Sequence, residues 1–434
     1  MPGPCPTPRR RHRLQPAKAV APSPMNAPSG ALGRRPLTAL LVAVGAAGCS
    51  VPPRGPAVPA AAAERATVLG GLRAARFWAD TQAAGLAEEA LRALEKERAH
   101  FPATTGRSER LPPASFLGIS GGSDSGAFGA GLLVGWTASG TRPEFKLVTG
   151  VSTGGLTAPL AFLGPAYDDA LREVFTGVRA SDIFAQRPLL EIPFDDAMAD
   201  TAPLYRLIAR HVDERMLGAI AFEYGRGRLL LIGTTNLDVM RPVIWNIGAI
   251  AASGHPQALT LVRKILLASA SIPAAFPPVL IDAEVDGRPY QEMHVDGGAV
   301  SQLFLYPPAV TAGRNLRTGP LARERHAYVI RNARLEPEAE HVRRSIFTIA
   351  GRAISSMIHY SGSNDIFRLY ATSRRDGVDF NLAYIGSDFA VEHREDFDPA
   401  YMRALFQYAY DKARNGYPWL KVPPVLEAAE AARR

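Results

Sequence analysis

The chain has 434 residues, an apolar content of 47% and a formal charge of +8 at pH 7, which suits a globular protein with one large domain or two. The basic excess lies in the first 48 residues, which carry seven Lys and Arg side chains and no acid; removing those seven charges from +8 leaves +1. Because the remainder is close to neutral, the charge argues against a nucleic-acid-binding protein.

The N-terminal segment is typical of an exported protein. Residues 1–24 are rich in Pro and Arg, which predicts disorder or a stretch that is not translated, with the true start at Met25. Residues 25–48 have the pattern of a signal peptide, because Arg34 and Arg35 precede a short apolar run that ends in small residues. That run is too short to span a bilayer.

Cys49 follows this run, and the only other cysteine is Cys5, so the body of the chain cannot form an internal disulfide. Small residues ending at a cysteine resemble a bacterial lipobox, although Ala46 stands where an aliphatic residue is usual. A lipidated Cys49 would anchor the protein in the bacterial cell envelope, and Ser50 in the next position favours the periplasmic face of the outer membrane. The alternatives are an ordinary signal peptide with a chance cysteine and a twin-arginine signal, which Pro36 disfavours.

The next segments connect this leader to the body. Residues 49–62 are rich in Pro and Ala, which predicts a tether. Residues 63–112 predict a helical N-terminal arm, since Leu86, Leu91 and Leu94 recur at helical spacing. Because the charges between them are mixed in sign, we expect this helix to pack on the body rather than bind a membrane.

Residues 116–331 alternate between short apolar runs and helical stretches, which predicts an α/β sandwich with a largely parallel central sheet. The predicted strands are Phe116–Ile119, Phe145–Thr149, Leu229–Gly233, Val279–Ile281 and Ala327–Arg331. The predicted helices are Ala127–Ala138, Thr153–Leu163, Tyr167–Phe175, Leu204–Leu217 and Gln257–Ala270. Residues 332–434 predict a mostly helical C-terminal extension, helical to about Arg375, with a strand near residues 382–385. In that extension Asp365, Arg368, Arg374 and Arg375 have the pattern of a solvated face.

Two glycine-rich stretches follow predicted strands and precede predicted helices. The second holds G-x-S-x-G at Gly150, Ser152 and Gly154, the pattern of a serine on a tight strand-to-helix turn. A helix N-terminus behind Ser152 would favour its alkoxide. The first stretch also fits G-x-S-x-G, with Ser120 at its centre, so the motif alone leaves two candidate serines.

Two later segments are less specific. The proline-rich stretch from Ser271 to Pro278 predicts a rigid apolar connection, which either packs in the core or lines a substrate channel. Asp296, followed by Gly297 and Gly298, has the pattern of a turn at a strand end. His294 lies two residues before Asp296 and would share its strand face, either as a structural side chain or in contact with a site.

Together these motifs resemble the patatin-like phospholipases: a glycine loop at Gly121, Gly122 and Gly126, then the elbow at Ser152, then D-G-G at Asp296. The resemblance covers roughly residues 116–331 and implies a three-layer α/β/α sandwich, a lipid or acyl-ester substrate and no cofactor. It implies that Ser152 is the nucleophile and Asp296 the proton acceptor. It also implies an oxyanion hole from the backbone of Gly121, Gly122 and Ser123. The motif glycines are Gly126, Gly150, Gly154, Gly297 and Gly298. Ser123 and Ser125 depart from the usual third glycine and basic residue of the loop.

Three other functions are weighed against this one. An α/β-hydrolase with a Ser-acid-His triad would need a histidine after the acid; the available ones are His326, His341, His359 and His393. A non-enzymatic envelope lipoprotein with a degenerate patatin fold is supported by the altered glycine loop. Nucleotide binding is disfavoured because the loop lacks a Walker motif, and no metal-ligand spacing is present.

Overall fold

The computed structural model describes residues 53–105, 111–187, 196–313, 316, 322–339 and 341–431. The predicted disordered start, signal peptide and lipidation site at Cys49 lie outside the described residues. The described end of the predicted tether packs on the body instead of forming a free linker. Its Val58 is buried with Ala283 and Val285, and Arg54 pairs with Asp238 at its N-terminal end.

A nine-stranded mixed sheet forms the centre of the molecule. Its strands are β1 Arg76–Trp78, β2 Ala114–Ile119, β3 Phe145–Val151, β6 Leu229–Asn236, β7 Arg241–Asn246, β8 Val279–Val285, β9 Arg288–Asp296, β10 Arg325–Arg331 and β11 Asp379–Tyr384. The main order is β1-β7-β6-β3-β2-β10-β11, and the five strands from β6 to β11 in this order are parallel. Two very short strands, β4 Ala185–Gln186 and β5 Ala199–Asp200, pair separately.

Helices cover both faces of this sheet. They are α1 Ala83–Thr105, α2 Gly126–Ala138, α3 Thr153–Leu163, α4 Asp168–Thr176, α5 Ala180–Ile183, α6 Ala202–His211, α7 Glu214–Gly225, α8 Ile247–Ala251, α9 Ala258–Ser269, α10 Ile346–Asp376, α11 Pro399–Arg414 and α12 Pro424–Ala431. One face packs on α2, α3, α4, α9 and α11, and the other on α1 and α10. The predicted α/β/α sandwich with a largely parallel sheet is therefore confirmed.

Most of the predicted elements are present, with one wrong helix boundary inside the body. The sequence predicts one helix over residues 204–217, but α6 ends at His211 and α7 begins at Glu214. The break occurs because the Asp213 side chain accepts a hydrogen bond from the Met216 N–H and caps a new helix. The predicted arm helix around Leu86 is observed as α1, and Leu86 is buried beside Leu147 and Leu229.

The pairing of β9 brings two distant parts of the chain together. β3 pairs with β6 as far as Val151 and Gly233, and then turns away into α3. β9 takes the vacated place beside β6, so its last residue, Asp296, pairs with Thr234. Because Thr234 follows Gly233 directly, Asp296 lies next to the turn that leaves β3. Within the described residues, no helix is long and apolar enough to cross a membrane.

Candidate active site

Ser152 lies on a strained turn between β3 and α3. Its backbone has φ 57° and ψ −131°, a conformation that residues with a side chain rarely adopt. The flanking motif glycines are required by close packing. A Cβ on Gly150 would lie 2.2 Å from the Gly154 carbonyl oxygen, and a Cβ on Gly154 would lie 2.2 Å from that of Ile119. The G-x-S-x-G motif therefore forms a nucleophile-elbow turn at the carboxyl edge of the sheet.

Ser269 fastens this turn to the sheet. The Ser152 backbone N–H donates to the Ser269 hydroxyl at 2.9 Å, and that hydroxyl donates to the Gly233 carbonyl oxygen at 2.8 Å. Gly155 permits the approach, because a Cβ there would lie 2.9 Å from the Ser269 Oγ. Ser269 is the last residue of α9, 117 positions away, and no local sequence pattern marks it.

Asp296 is buried beside the elbow, with 4% of its surface exposed. Its carboxylate accepts a hydrogen bond from the Gly298 N–H at 2.7 Å, and the Ser152 hydroxyl lies close enough to affect its pKa. Burial raises the pKa of Asp296 to about 7, although the Ser152 hydroxyl and the Gly298 N–H both act to lower it. The turn after it needs glycine, because a Cβ on Gly297 would lie 2.7 Å from the Gly233 carbonyl oxygen. The D-G-G motif thus presents a carboxylate of raised basicity to Ser152.

The glycine loop after β2 lies against the Ser152 side chain. A Cβ on Gly121 would lie 2.8 Å from the Ser152 Cβ and 3.3 Å from its Oγ, so any larger residue would displace the serine. Gly122 has φ 158° and packs on the Asn332 backbone, while the Ser123 carbonyl accepts from the Thr153 hydroxyl at 2.9 Å. Within the described chain, nothing accepts a hydrogen bond from the N–H of Gly121 or Gly122. These two N–H groups are available to a developing oxyanion.

Ser120, the competing serine, has a structural position. It is fully buried, its hydroxyl donates to the Gly121 carbonyl at 2.6 Å, and it accepts from the Asn332 N–H at 2.8 Å. The Asn332 side chain also donates to the Ser120 carbonyl and accepts from the Gly129 N–H. Ser120 therefore holds the glycine loop to the end of β10 and does not face a cleft.

An apolar pocket opens beside Ser152 and Ser123. Its lining comes from α3, α4, α6 and the proline-rich segment after α9, including Leu156, Phe175, Leu204, Ile272 and Phe276. The segment from Ser271 to Pro278 thus lines a pocket next to the serine, the second of its two predicted roles. An apolar cavity ending at a hydroxyl suits an acyl chain whose carbonyl lies at the serine.

His294 belongs to a buried network behind Asp296 and does not contact Ser152. Its Nδ1 lies 3.0 Å from the Thr234 hydroxyl, and its Nε2 lies 3.1 Å from the Glu292 carboxylate. Because the Trp245 N–H donates to the Thr234 hydroxyl, that hydroxyl can donate to Nδ1, which leaves the proton on Nε2. Burial lowers the pKa of His294. Burial alone would raise the pKa of Glu292, but His294 and Arg76 bring it down to about 2.

The C-terminal extension contacts this site at two carboxylates, Asp124 and Asp365, for which no sequence pattern predicts a role in the site. Asp124, in the glycine loop, accepts from the His393 Nε2 at 2.6 Å and from the Phe397 N–H at 2.9 Å. Asp365 is wrongly predicted as part of a solvated face, since only 4% of it is exposed. It accepts from the N–H groups of Gln302 and Leu303, just after the D-G-G turn. The extension therefore supports both the glycine loop and the segment that follows Asp296.

The candidate triad histidines lie apart from Ser152 and Asp296. His326 lies near the amino end of β10 and contacts Asp379. His341 is exposed, and His359 lies on α10. His393 reaches Asp124 but not Ser152. In the part of the chain that the structure describes, no histidine hydrogen-bonds to Ser152 or Asp296, and no cluster of three or more potential metal ligands occurs.

The fold is that of an α/β protein with an elbow serine at the carboxyl edge of its sheet, an architecture found among serine hydrolases. Comparison with known families gives a narrower class. The family model described as patatin-like phospholipase matches residues 117–308, so the chain contains a domain similar to that family. This match suggests a hydrolase that acts on lipid esters.

Other comparisons add little. No curated protein matches the chain significantly. Among solved structures, VipD from Legionella pneumophila is similar over 73% of each chain, with 10% sequence identity and a TM-score of 0.35. At that TM-score the likeness is too weak to support a conclusion about this protein.

Proposed function

We propose that the protein hydrolyses carboxylic esters of lipids with a Ser152–Asp296 dyad. The observation that carries this proposal is the position of the buried Asp296 carboxylate, which lies next to the Ser152 hydroxyl on its strained elbow. The raised pKa of Asp296 supports it, because an ordinary carboxylate is a poor base for a hydroxyl. The apolar pocket beside Ser152 supports a substrate with an acyl chain.

The reaction follows from these positions. The Ser152 oxygen attacks the ester carbonyl carbon as its proton passes to Asp296, and the oxyanion forms beside the N–H groups of Gly121, Gly122 and Ser123. The leaving alcohol takes the proton from Asp296 as its bond to carbon breaks, which leaves an acyl-serine. Water then attacks this ester, gives a proton to Asp296, and the proton returns to the departing Ser152 oxygen as the fatty acid leaves.

A fluorophosphonate probe tests the nucleophile directly. We expect the adduct on Ser152, no adduct and no esterase activity in Ser152→Ala, and slower but clear labelling in Ser120→Ala, where only loop support is lost. Esters of graded acyl length should show increasing kcat/KM until the apolar pocket is filled. An adduct on Ser120 would overturn the assignment. The absence of both adduct and hydrolysis would favour a non-enzymatic envelope lipoprotein.

We further propose that Cys49 carries the lipid anchor and places the protein in the cell envelope, on the periplasmic face of the outer membrane. The small residues before Cys49 and Ser50 after it support this. Metabolic labelling with a fatty-acid probe should be lost in Cys49→Ala. Labelling that persists in this variant, or a mature N-terminus at another residue, would refute the anchor.

A further inference from the structure

Helix α10 extends beyond the edge of the sheet that holds the candidate site. It has 31 residues, about 46 Å at 1.5 Å per residue, and it connects the parallel strands β10 and β11. It therefore runs opposite to them and starts at their carboxyl edge. Gly362 packs on Arg331 at the end of β10, while Ile366 and Leu369 are buried against the sheet. The preceding residues, 346–361, project past that edge.

The projecting half of α10 exposes large apolar side chains. Ile346 is 77% exposed, Met357 is 71% exposed and Tyr360 is 59% exposed; Ile349 and Ile354 are also exposed. Residues this apolar are seldom left together in water on a protein without a partner. The projecting half, residues 346–361, therefore presents an exposed apolar surface of the kind that binds a partner.

Other exposed apolar residues lie at the same edge of the sheet. Leu237 and Met240 are in the turn that leaves β6, Val300 follows the end of β9, and Val391 follows the end of β11. Each of these strand ends lies on the side of the sheet to which Ser152 and Asp296 belong. The apolar surface of α10 is thus part of a wider apolar edge around the site.

The charge of the projecting half favours an anionic lipid surface. Residues 341–364 contain no Asp or Glu, while Arg343, Arg344 and Arg352 are present. Asp365 follows this stretch directly but is buried, and Glu338, one of the acids that precede it, is paired with Arg334. Apolar side chains flanked by arginines are characteristic of helices that lie in the headgroup region of a bilayer. A second copy of the chain on this face would instead cover the edge where Ser152 lies.

We propose that the projecting half of α10 inserts into the headgroup region of an anionic bilayer and docks the carboxyl edge of the sheet on the membrane. This rests on the proposed function, because a bilayer is where long-chain lipid esters are found. The docked edge gives the apolar pocket beside Ser152 access to lipid without full transfer of the substrate through water.

Vesicle binding tests this without catalysis. The full chain with Cys49→Ala and Ser152→Ala has neither the predicted anchor nor the nucleophile. In this background the double change Ile349→Ser and Met357→Ser should lower partitioning onto vesicles of phosphatidylcholine and phosphatidylglycerol at least about tenfold. The matched control is Phe222→Ser, which is 64% exposed on α7 and should leave partitioning unchanged.

A site-specific probe gives the second measurement. In a chain with Cys5→Ala and Cys49→Ala, an environment-sensitive fluorophore on Met357→Cys should shift to the blue when vesicles are added, and one on Phe222→Cys should not. Equal responses at the two sites, or a loss of partitioning no greater than in Phe222→Ser, would overturn the proposal. So would a dimer that the double change dissociates while vesicles have no effect.

The two proposals can fail separately. Hydrolysis of a soluble short-chain ester by the chain with Ser152 intact tests the chemistry alone. If that ester is hydrolysed and the α10 variant still binds vesicles fully, docking fails and the proposed function stands. If vesicles are bound through α10 and no ester is hydrolysed, the proposed function fails, and the bilayer contact stands as a binding activity.

Discussion

The backbone N–H of Ser152 donates a hydrogen bond to the hydroxyl of Ser269, which lies at the end of a different helix. The Ser269 hydroxyl in turn donates a hydrogen bond to the Gly233 carbonyl oxygen on β6, which links the elbow to the sheet. A non-glycine residue at positive φ costs about 1–3 kcal/mol, so the elbow persists only where neighbouring groups hold it. Ser269 is one of those groups, and it acts on the position of Ser152, the proposed nucleophile, rather than on the substrate.

We therefore expect Ser269→Ala to lower kcat by about 10- to 100-fold with little change in KM, because the serine is displaced after the substrate has bound. The matched control is Ser271→Ala. Ser271 is also buried, but its hydroxyl donates to Leu267 within the same segment and does not reach the elbow. Steady-state kinetics on a soluble ester gives both constants. A KM effect alone, or an equal loss of kcat in Ser271→Ala, would contradict a positioning role.

Asp124 joins the glycine loop to the C-terminal extension. Substituting its carboxylate should weaken the contact between these two segments. The donors His393 Nε2 and Phe397 N–H share one oxygen of Asp124, and Asp124→Asn replaces it with a neutral amide oxygen, which is a weaker acceptor for both. We expect about 1–3 kcal/mol lower stability by chemical denaturation and a lower kcat, because the oxyanion donors lie in this loop. Asp388→Asn, on the exposed Lys412 pair, is the control. Normal kcat together with normal stability in Asp124→Asn would show that the contact has no such role.

The sequence predicted the elements that depend on local patterns. α3 begins and ends where Thr153 and Gly164 indicated, because a glycine and a proline stop the helix. The glycines of the elbow and of the D-G-G turn are also recognisable in the sequence, and each is required by a close approach: Gly154 to the end of β2 and Gly297 to β6.

The contacts that support the site could not be predicted in this way. Ser269, Asp124 and Asp365 act through partners more than 60 residues away in the chain. Buried carboxylates such as Asp365 also look like surface residues in a sequence, because charge alone predicts exposure. Only the pairing of β9 with β6, and the return of the extension over the site, brings these groups together.

Asp296→Asn should abolish most of the activity while keeping the shape of the site. The amide can still accept from the Ser152 hydroxyl but cannot take its proton, so we expect a loss close to that of Ser152→Ala. The losses should not add in the double variant, because the two residues act as one unit. Esterase assays on the purified variants measure this.

Histidine variants separate this dyad from a Ser-acid-His triad. Each single substitution should leave at least about a tenth of the activity, since a triad histidine is worth far more than tenfold. The positions to test are His294, His326, His341, His359 and His393. One substitution as damaging as Ser152→Ala, combined with a mild Asp296→Asn, would favour the triad.

The activity should depend on the protonation of Asp296. Burial raises the pKa of this carboxyl to about 7 in the free protein, and only the ionised form can accept the Ser152 proton. We expect kcat/KM to increase tenfold per pH unit well below 7 and to level off above it. A pH profile on a soluble ester measures this. A profile that is flat from pH 5 to 8 would mean that Asp296 is not the base, or that its carboxyl is ionised throughout this range.

Ionisation of Asp296 should destabilise the native protein at high pH, and Asp296→Asn should avoid this loss. The pKa of Asp296 is about 7 in the folded protein and near 4 in the unfolded chain. Between pH 4 and 7 the carboxyl is therefore protonated in the folded state and ionised in the unfolded state. As the pH rises through this window, the folded state loses stability, up to about 4 kcal/mol above pH 7 for this shift. Asp296→Asn carries no charge and escapes this loss. Its stability relative to the native protein should therefore increase from pH 4 to 8 in denaturant unfolding, as expected where function requires a destabilised site. A difference that stays constant with pH would show that Asp296 ionises as readily in the fold as in water, and would remove the raised pKa as support for its role as a base.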